Sequence, residues 1–275
     1  MSARRGRWLP VIGLLVLAPS DAAWGGHPPT STPPSLCLIS YPSDARITWE
    51  CRTLRGTDTL ERLFGDRWKD VARFNRIDRR HAHPGISIKA PKRLDDVAGF
   101  TPMPPEYPPA RGEAKFILAN LREQFLGAYE HGRLVFSAPI ATGEAGHETP
   151  TGEFRINAVH RRHASSLYTI EGTDTPYPMN DALRFYTDRD GVEFWIHGRD
   201  MPGYPASHGC IGLYDEAMQR SVYGFPRDPA LDDARRFLEW VVAPREDGGR
   251  LLAIRDGPRM LVIDHVQIQP IAARP

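Results

Sequence analysis

Two hydrophobic periods alternate along the chain, and their order predicts its elements. Ile47 to Leu54 alternates apolar and polar positions, as a half-buried strand does. Thr57 or Asp58 then caps a short helix in which Leu60, Leu63 and Phe64 share one face, and Gly65 ends it. Asp66 opens a second helix with Trp68, Val71, Ala72 and Phe74 inward, closed by Asn75. After a turn at 81–85, residues 86–91 read as a second strand. The order strand, helix, helix, strand occupies about 45 residues, a size at which a core is marginal. Between 97 and 111 the period disappears, and Pro102, Pro104, Pro105, Pro108 and Pro109 predict a stiff spacer and a domain boundary.

From Lys115 onward the pattern is mostly that of strands. Residues 116–129 read as two strands separated by the polar patch 120–124, and the turn Glu130-His131-Gly132 leads to a third at 133–141. A Gly/Pro-rich loop covers 142–151, and 152–157 starts another strand. Strands are also expected at 183–186, 192–197, 251–254 and 260–263. Helices are expected at 215–223, with acids in the first turn as the helix dipole favours, and at 232–242. His160 and His163 fall in a basic stretch, and no third ligand lies nearby to make them a metal site.

Composition narrows the class. The 275 residues carry a formal net charge of +1, which gives no pull toward nucleic acid or a membrane surface. Arg4, Arg5 and Arg7 precede an apolar run at 9–18 and small residues at 21–23, the three parts of a secretory leader. The run is shorter than the roughly 20 residues a bilayer span requires. We therefore expect a leader over 1–25, a linker over 26–45 and work outside the cytoplasm. In an oxidising compartment three cysteines leave one thiol unpaired. Pairing the near neighbours Cys37 and Cys51 leaves Cys210 free; the alternatives are three reduced thiols or a bridge to Cys210.

The candidate chemistry lies between Trp195 and Leu213, where His197, His208 and Cys210 fall among small and turn-forming residues. A free cysteine has a pKa of about 8.5, so a nearby imidazole is needed to make it a good nucleophile at neutral pH. In an extended segment His208 and Cys210 would point the same way, while His197 approaches across the loop closed by Pro202 to Pro205. Gly209 admits a close substrate carbonyl, so the amides of Gly209 and Cys210 are candidate oxyanion donors. Structural histidines, a buried thiol and a zinc site are the competing readings. Zinc lacks a fourth ligand at a compelling spacing.

His197 followed by Ser207-His208-Gly209-Cys210, with Ala141-Thr142-Gly143 and Thr149-Pro150-Thr151-Gly152-Glu153-Phe154 upstream, resembles the L,D-transpeptidase catalytic domain, the YkuD family. The resemblance implies Cys210 as nucleophile, His197 as base and later acid, and the Gly198 carbonyl orienting that imidazole. It also implies His208 and Ser207 shaping the cysteine loop, and no metal or cofactor. Gly212 departs from it, standing where the family usually has Arg or Asn, and the interval from His197 to Ser207 is short. Gly56 to Leu60, Leu63-Phe64-Gly65, Trp68, Val71, Phe74-Asn75 and Gly85 to Pro91 resemble the LysM module, which binds N-acetylglucosamine-containing glycans.

The expected fold is a mainly β catalytic domain, an L,D-transpeptidase-like β-sandwich with few helices, plus a small α+β LysM-like (βααβ) module. The expected boundaries are 46–93 for the module, 94–113 for the Pro-rich linker, 114–265 for the catalytic domain and 266–275 for a tail. The implied partners are peptidoglycan stem peptides and glycan strands, with carbapenem β-lactams as inhibitors. The implied reaction is attack on a diaminopimelate carbonyl of a tetrapeptide stem, loss of D-Ala and a 3→3 crosslink. Hydrolysis of the same thioester, lipoprotein attachment or release, and a non-catalytic wall-binding role are the alternatives.

Overall fold

The computed structural model describes residues 35–243 and 250–265. The expected leader, the linker up to residue 34 and the tail lie outside the described residues. The N-terminal part has the expected order: β1 (Trp49–Thr53), α1 (Leu60–Phe64), α2 (Trp68–Asn75) and β2 (Ser87–Pro91). Thr59, one residue beyond the expected caps, accepts the Arg62 amide at the start of α1. β1 and β2 pair antiparallel, with Cys51 opposite Lys89. Asn75 ties α2 to that ribbon by accepting the Lys89 N–H at 2.8 Å and donating to the Lys89 carbonyl at 2.9 Å. Cys37 and Cys51 are bridged, and Cys210 is free.

The remainder is β3 (Phe116–Asn120), β4 (Phe125–Glu130), β5 (Arg133–Pro139), β6 (Gly152–Arg155), β7 (Ala158–Thr169), β8 (Pro176–Thr187), β9 (Glu193–Arg199), β10 (Ile211–Tyr214), α3 (Glu216–Tyr223), α4 (Asp233–Val242), β11 (Leu252–Ala253) and β12 (Arg259–Ile263). Two five-stranded sheets result, in the orders β5-β4-β3-β12-β6 and β10-β9-β8-β7-β11. Alternation along β3 explains why it reads as an unbroken apolar run. Ile117 and Ala119 face a core shared with Leu183, Ile196, Ile211 and Leu213 of the other sheet and Phe237 of α4. Phe116 and Leu118 face the opposite way, into a core built with Val71, Phe74 and Ile88 of the N-terminal part.

The Pro-rich stretch does not behave as the spacer expected of it. Val97, Phe100, Met103 and Ala110 are buried in the second of these cores. Phe100 meets Phe74 and Phe125 edge-on at 5.1 and 5.9 Å, and Tyr107 stacks on Phe116 at 5.5 Å. The carbonyls of Pro104 and Pro105 accept from the Tyr129 hydroxyl and the Leu134 amide, each at 3.0 Å. Prolines hold this segment extended, and the side chains between them anchor it. Burial of each large apolar side chain contributes about 1.5–3 kcal/mol.

A buried guanidinium locks the N-terminal part to the first sheet. Arg76 follows α2 with φ of 55° and is fully enclosed. It donates to Asp44 and Ser43 at 3.0 Å and to the Glu123 carbonyl at 3.2 Å, and its plane lies 4.0 Å over the Tyr41 ring. Lys89 also reaches Asp44. Removing one member of such a network strands the others as buried charges, at a cost of about 3–5 kcal/mol. Arg76→Met is accordingly expected to lower unfolding stability by about that amount, read from urea denaturation at pH 7.

Candidate active site

β9 and β10 lie side by side and parallel, with Ile211 opposite Ile196 and Gly212 opposite His197. This register returns the chain so that Cys210, just before β10, comes beside Trp195. β10 was not expected from sequence. His197, His208 and Cys210 all line one cleft of about 810 Å³, together with Tyr168, His163 and Arg199. Thus the structure brings the three candidate side chains together, but not as three metal ligands. Among the described residues the candidate group with ligand atoms within 4.8 Å of one another is Asp78, His81 and Asp200. Its carboxylates already accept from His81, Met201, Gln219, Tyr177, Tyr223 and Arg80.

His197 is only 5 % exposed. Its Nδ1–H donates to the Gly198 carbonyl at 2.8 Å, which leaves Nε2 as the basic nitrogen. Burial, followed by the charges of Arg199 and His163, pushes its pKa down to about 3 against the opposing pull of the Gly198 bond. The half-buried Cys210 thiol is pushed up by burial, opposed by the Trp195 main chain and by Arg199. At neutral pH the cleft therefore holds a neutral thiol and a neutral imidazole. The proton must move as the sulfur attacks.

The loop before Cys210 is fixed by the upstream motif. The Thr142 carbonyl accepts from the Ala206 and Ser207 amides, both at 2.9 Å. Thr149 accepts from Gly143 and donates to the Gly209 carbonyl, again at 2.9 Å. Buried Ser207 donates from its hydroxyl to the Cys210 carbonyl at 2.6 Å and accepts the Gly209 amide at 3.1 Å. The Gly209 N–H is thus already engaged. Gly209 has φ of +106°, and a Cβ there would lie 2.5 Å from the Phe194 ring. The chain turns at this point, so the extended arrangement expected to aim His208 and Cys210 the same way is not formed. His208 is instead stacked on Tyr168 at 4.3 Å and faces His147 at 4.4 Å, with Glu144 at 4.0 Å.

Tyr168 and His163 come from β7, a strand that sequence reading passed over as a basic stretch. His163 stacks on Trp195 at 4.3 Å, and its Nδ1 lies 3.2 Å from that of His160. A weak alternation of small and polar residues from Ala158 was the available signal, masked by arginines and histidines on both faces. The loop between His197 and Cys210 is held from its far side by the N-terminal part. Asp78 donates its amide to the Met201 carbonyl at 2.8 Å and accepts the Met201 amide at 2.7 Å, while the Tyr41 hydroxyl donates to Gly203 at 2.8 Å.

Residues 114–242 match the family model of YkuD, the L,D-transpeptidase catalytic domain. No curated protein matches the chain. Among solved structures, an L,D-transpeptidase fragment (residues 123–326) from Xylanimonas cellulosilytica is 20 % identical over 86 % of this chain and 100 % of that one, with a TM-score of 0.41. An L,D-transpeptidase from Mycobacterium smegmatis is 14 % identical over 54 % and 58 %, with a TM-score of 0.35. L,D-transpeptidase 3 from Mycobacterium tuberculosis, solved with a faropenem-derived adduct, is 17 % identical over 54 % and 60 %, also at 0.35. The chain thus spans about three fifths of those two mycobacterial proteins.

The depressed pKa of His197 has a consequence for stability. Between its ordinary 6.5 and about 3 the unfolded chain binds a proton that the folded chain refuses. The contribution is full above pH 6.5 and is lost as pH falls through that window. Wild type is expected to lose roughly 1.4 kcal/mol per pH unit more than His197→Gln between about pH 6 and pH 4, read from urea midpoints. Parallel pH profiles for the two proteins would refute a buried neutral imidazole.

Proposed function

We propose that this chain is a peptidoglycan L,D-transpeptidase working outside the cytoplasm, with Cys210 as nucleophile and His197 as general base and acid. The observation that carries the reading is the His197–Gly198 hydrogen bond, which fixes one tautomer of a neutral imidazole in the cleft that holds the free thiol. In the proposed reaction Nε2 takes the thiol proton as sulfur attacks the diaminopimelate carbonyl of a tetrapeptide stem. The resulting oxyanion is held by the Cys210 amide, since the Gly209 N–H is given to Ser207. Collapse breaks the C–N bond, the imidazolium returns its proton to the departing D-Ala amine, and a thioester remains. An acceptor amine then attacks, gives its proton to His197 and displaces the sulfur. With a stem-peptide amine the product is a 3→3 crosslink; water would give hydrolysis. The same nucleophile would open a carbapenem ring.

The reading extends to the N-terminal part as a LysM-like glycan-binding module. Its support is a groove of about 840 Å³ between loops 56–61 and 79–84, closed on the other side by 223–228, where Phe225 is 45 % exposed. An exposed aromatic ring beside polar loop groups suits the apolar face of a sugar.

Intact mass spectrometry with a carbapenem or a tetrapeptide donor tests the reaction. One covalent adduct is expected on wild type and none on Cys210→Ala, with His197→Ala slowed by a factor of about 10²–10⁴. An equal adduct on Cys210→Ala would overturn the assignment, and muropeptide analysis then separates crosslinking from hydrolysis. For the groove, Phe225→Ser is expected to weaken sedimentation with insoluble peptidoglycan about ten-fold, as loss of one stacking ring should, while carbapenem acylation stays unchanged.

A further inference from the structure

The departure at Gly212 has a physical counterpart across the strand. A Cβ at 212 would lie 2.0 Å from Cδ and 2.1 Å from Cγ of Arg199, so the arginine stem occupies the volume that any side chain there would need. Gly212 has no left-handed φ, and its main chain pairs with Ala141 in both directions, at 2.8 and 3.1 Å. The glycine therefore serves the packing of Arg199 rather than a turn. Two guanidiniums line the cleft. Arg80 is committed to Asp200 at 3.2 Å. Arg199 has no ion-pair partner among the described residues. It donates Nε to the Asp200 carbonyl at 3.1 Å and Nη2 to the Ala206 carbonyl at 3.0 Å. Two of its five N–H groups are thus used, and Nη1 with the second Nη2 proton remains for a ligand. The charge is half-buried and acts on His197, His208 and Cys210 alike.

A fixed guanidinium edge with free N–H groups and no ion-pair partner suits a planar carboxylate held by two parallel hydrogen bonds. We propose that Arg199 forms a carboxylate subsite beside Cys210, which takes the C-terminal carboxylate of the departing D-residue of the acyl donor. The choice of donor rests on the transpeptidase reading; the anion subsite itself does not. An enzyme that removes a terminal residue must distinguish a chain end from an internal peptide bond. A cation next to the nucleophile makes that distinction, because the terminal carboxylate lies one residue beyond the scissile carbonyl.

Two measurements on the full chain test this separately. The first is the rate at which Cys210, the free thiol, is alkylated by iodoacetate relative to iodoacetamide. Any change in thiol acidity cancels in that ratio. Arg199→Gln is expected to lower it about ten-fold, and Arg199→Lys to retain most of it, the size usual for a charge-assisted contact. Gly212→Ala should behave as Arg199→Gln, because its methyl displaces the arginine stem. The second is kcat/KM for a tetrapeptide donor with a free C-terminal carboxylate against its C-terminal amide. Wild type is expected to prefer the acid about ten-fold and Arg199→Gln to lose the preference. An arginine that only braces the loop would slow both reagents and both donors equally, and that result overturns the subsite. A changed alkylation ratio without peptide turnover keeps the subsite and removes the transpeptidase reading. Turnover with neither ratio changed keeps the reading and removes the subsite. A changed alkylation ratio with donors treated alike overturns the assignment to the donor carboxylate.

Discussion

The molecule depends on one parallel strand pair. β9 ends with the His197 segment, β10 begins just after Cys210, and their register sets Gly212 opposite His197. A parallel pair cannot close through a tight hairpin, so the chain must leave the sheet between them and come back. Loop 200–210 makes that excursion without a helix of its own. Such a loop holds a geometry only where its polar groups find outside partners. Thr142 and Thr149 supply them at the Cys210 end. Asp78 and Tyr41 supply them near its start, at Met201 and Gly203.

Electrostatics follow from the same arrangement. Burial takes water from both His197 and Cys210, and it disfavours the charged form of each. A resting ion pair would need a compensating anion near the imidazole, and its Nδ1 instead meets the neutral carbonyl of Gly198. Charge on the sulfur and the imidazole therefore develops only as the thiol reacts. Arg199, which makes no ion pair among the described residues, adds a positive charge beside both groups, and Gly212 leaves room for its stem.

Much of this was legible before the fold was known. The histidine and cysteine motif, the Thr-Gly and Thr-Pro-Thr-Gly segments, and the cysteine parity each rest on local chemistry that survives folding. The strands of the first sheet were legible because β3 and β4 are buried on both faces and read as apolar runs. β7 was not, since much of it lies in a hairpin beside the cleft, where Tyr168 and His163 face ligand space rather than core. β10 was hidden by its brevity and its glycine. One further misreading has a plain cause. The prolines of 97–111 were judged by what those residues do in isolation. Their meaning lies in distant partners, Phe74 and Tyr129.

That lesson bears on the N-terminal part. Its size alone makes an independent core marginal, and its largest buried groups do not face one another only. Tyr214 from β10 donates to the Ile77 carbonyl at 2.9 Å, Arg76 is sealed against Glu123, and Leu36 lies under Gly203, whose φ of +98° lets the loop pass. A module tethered by a flexible linker could be deleted without touching the cleft. Here the segment that follows α2 supplies the Asp78 pair to Met201, on the loop whose ends carry His197 and Cys210. The short interval from His197 to Ser207 is consistent with this support. A longer loop would have to find its own partners, whereas a short one can be pinned from outside. The N-terminal part therefore braces the loop of the candidate site from behind, and among the described residues it reaches the cleft itself through Arg80.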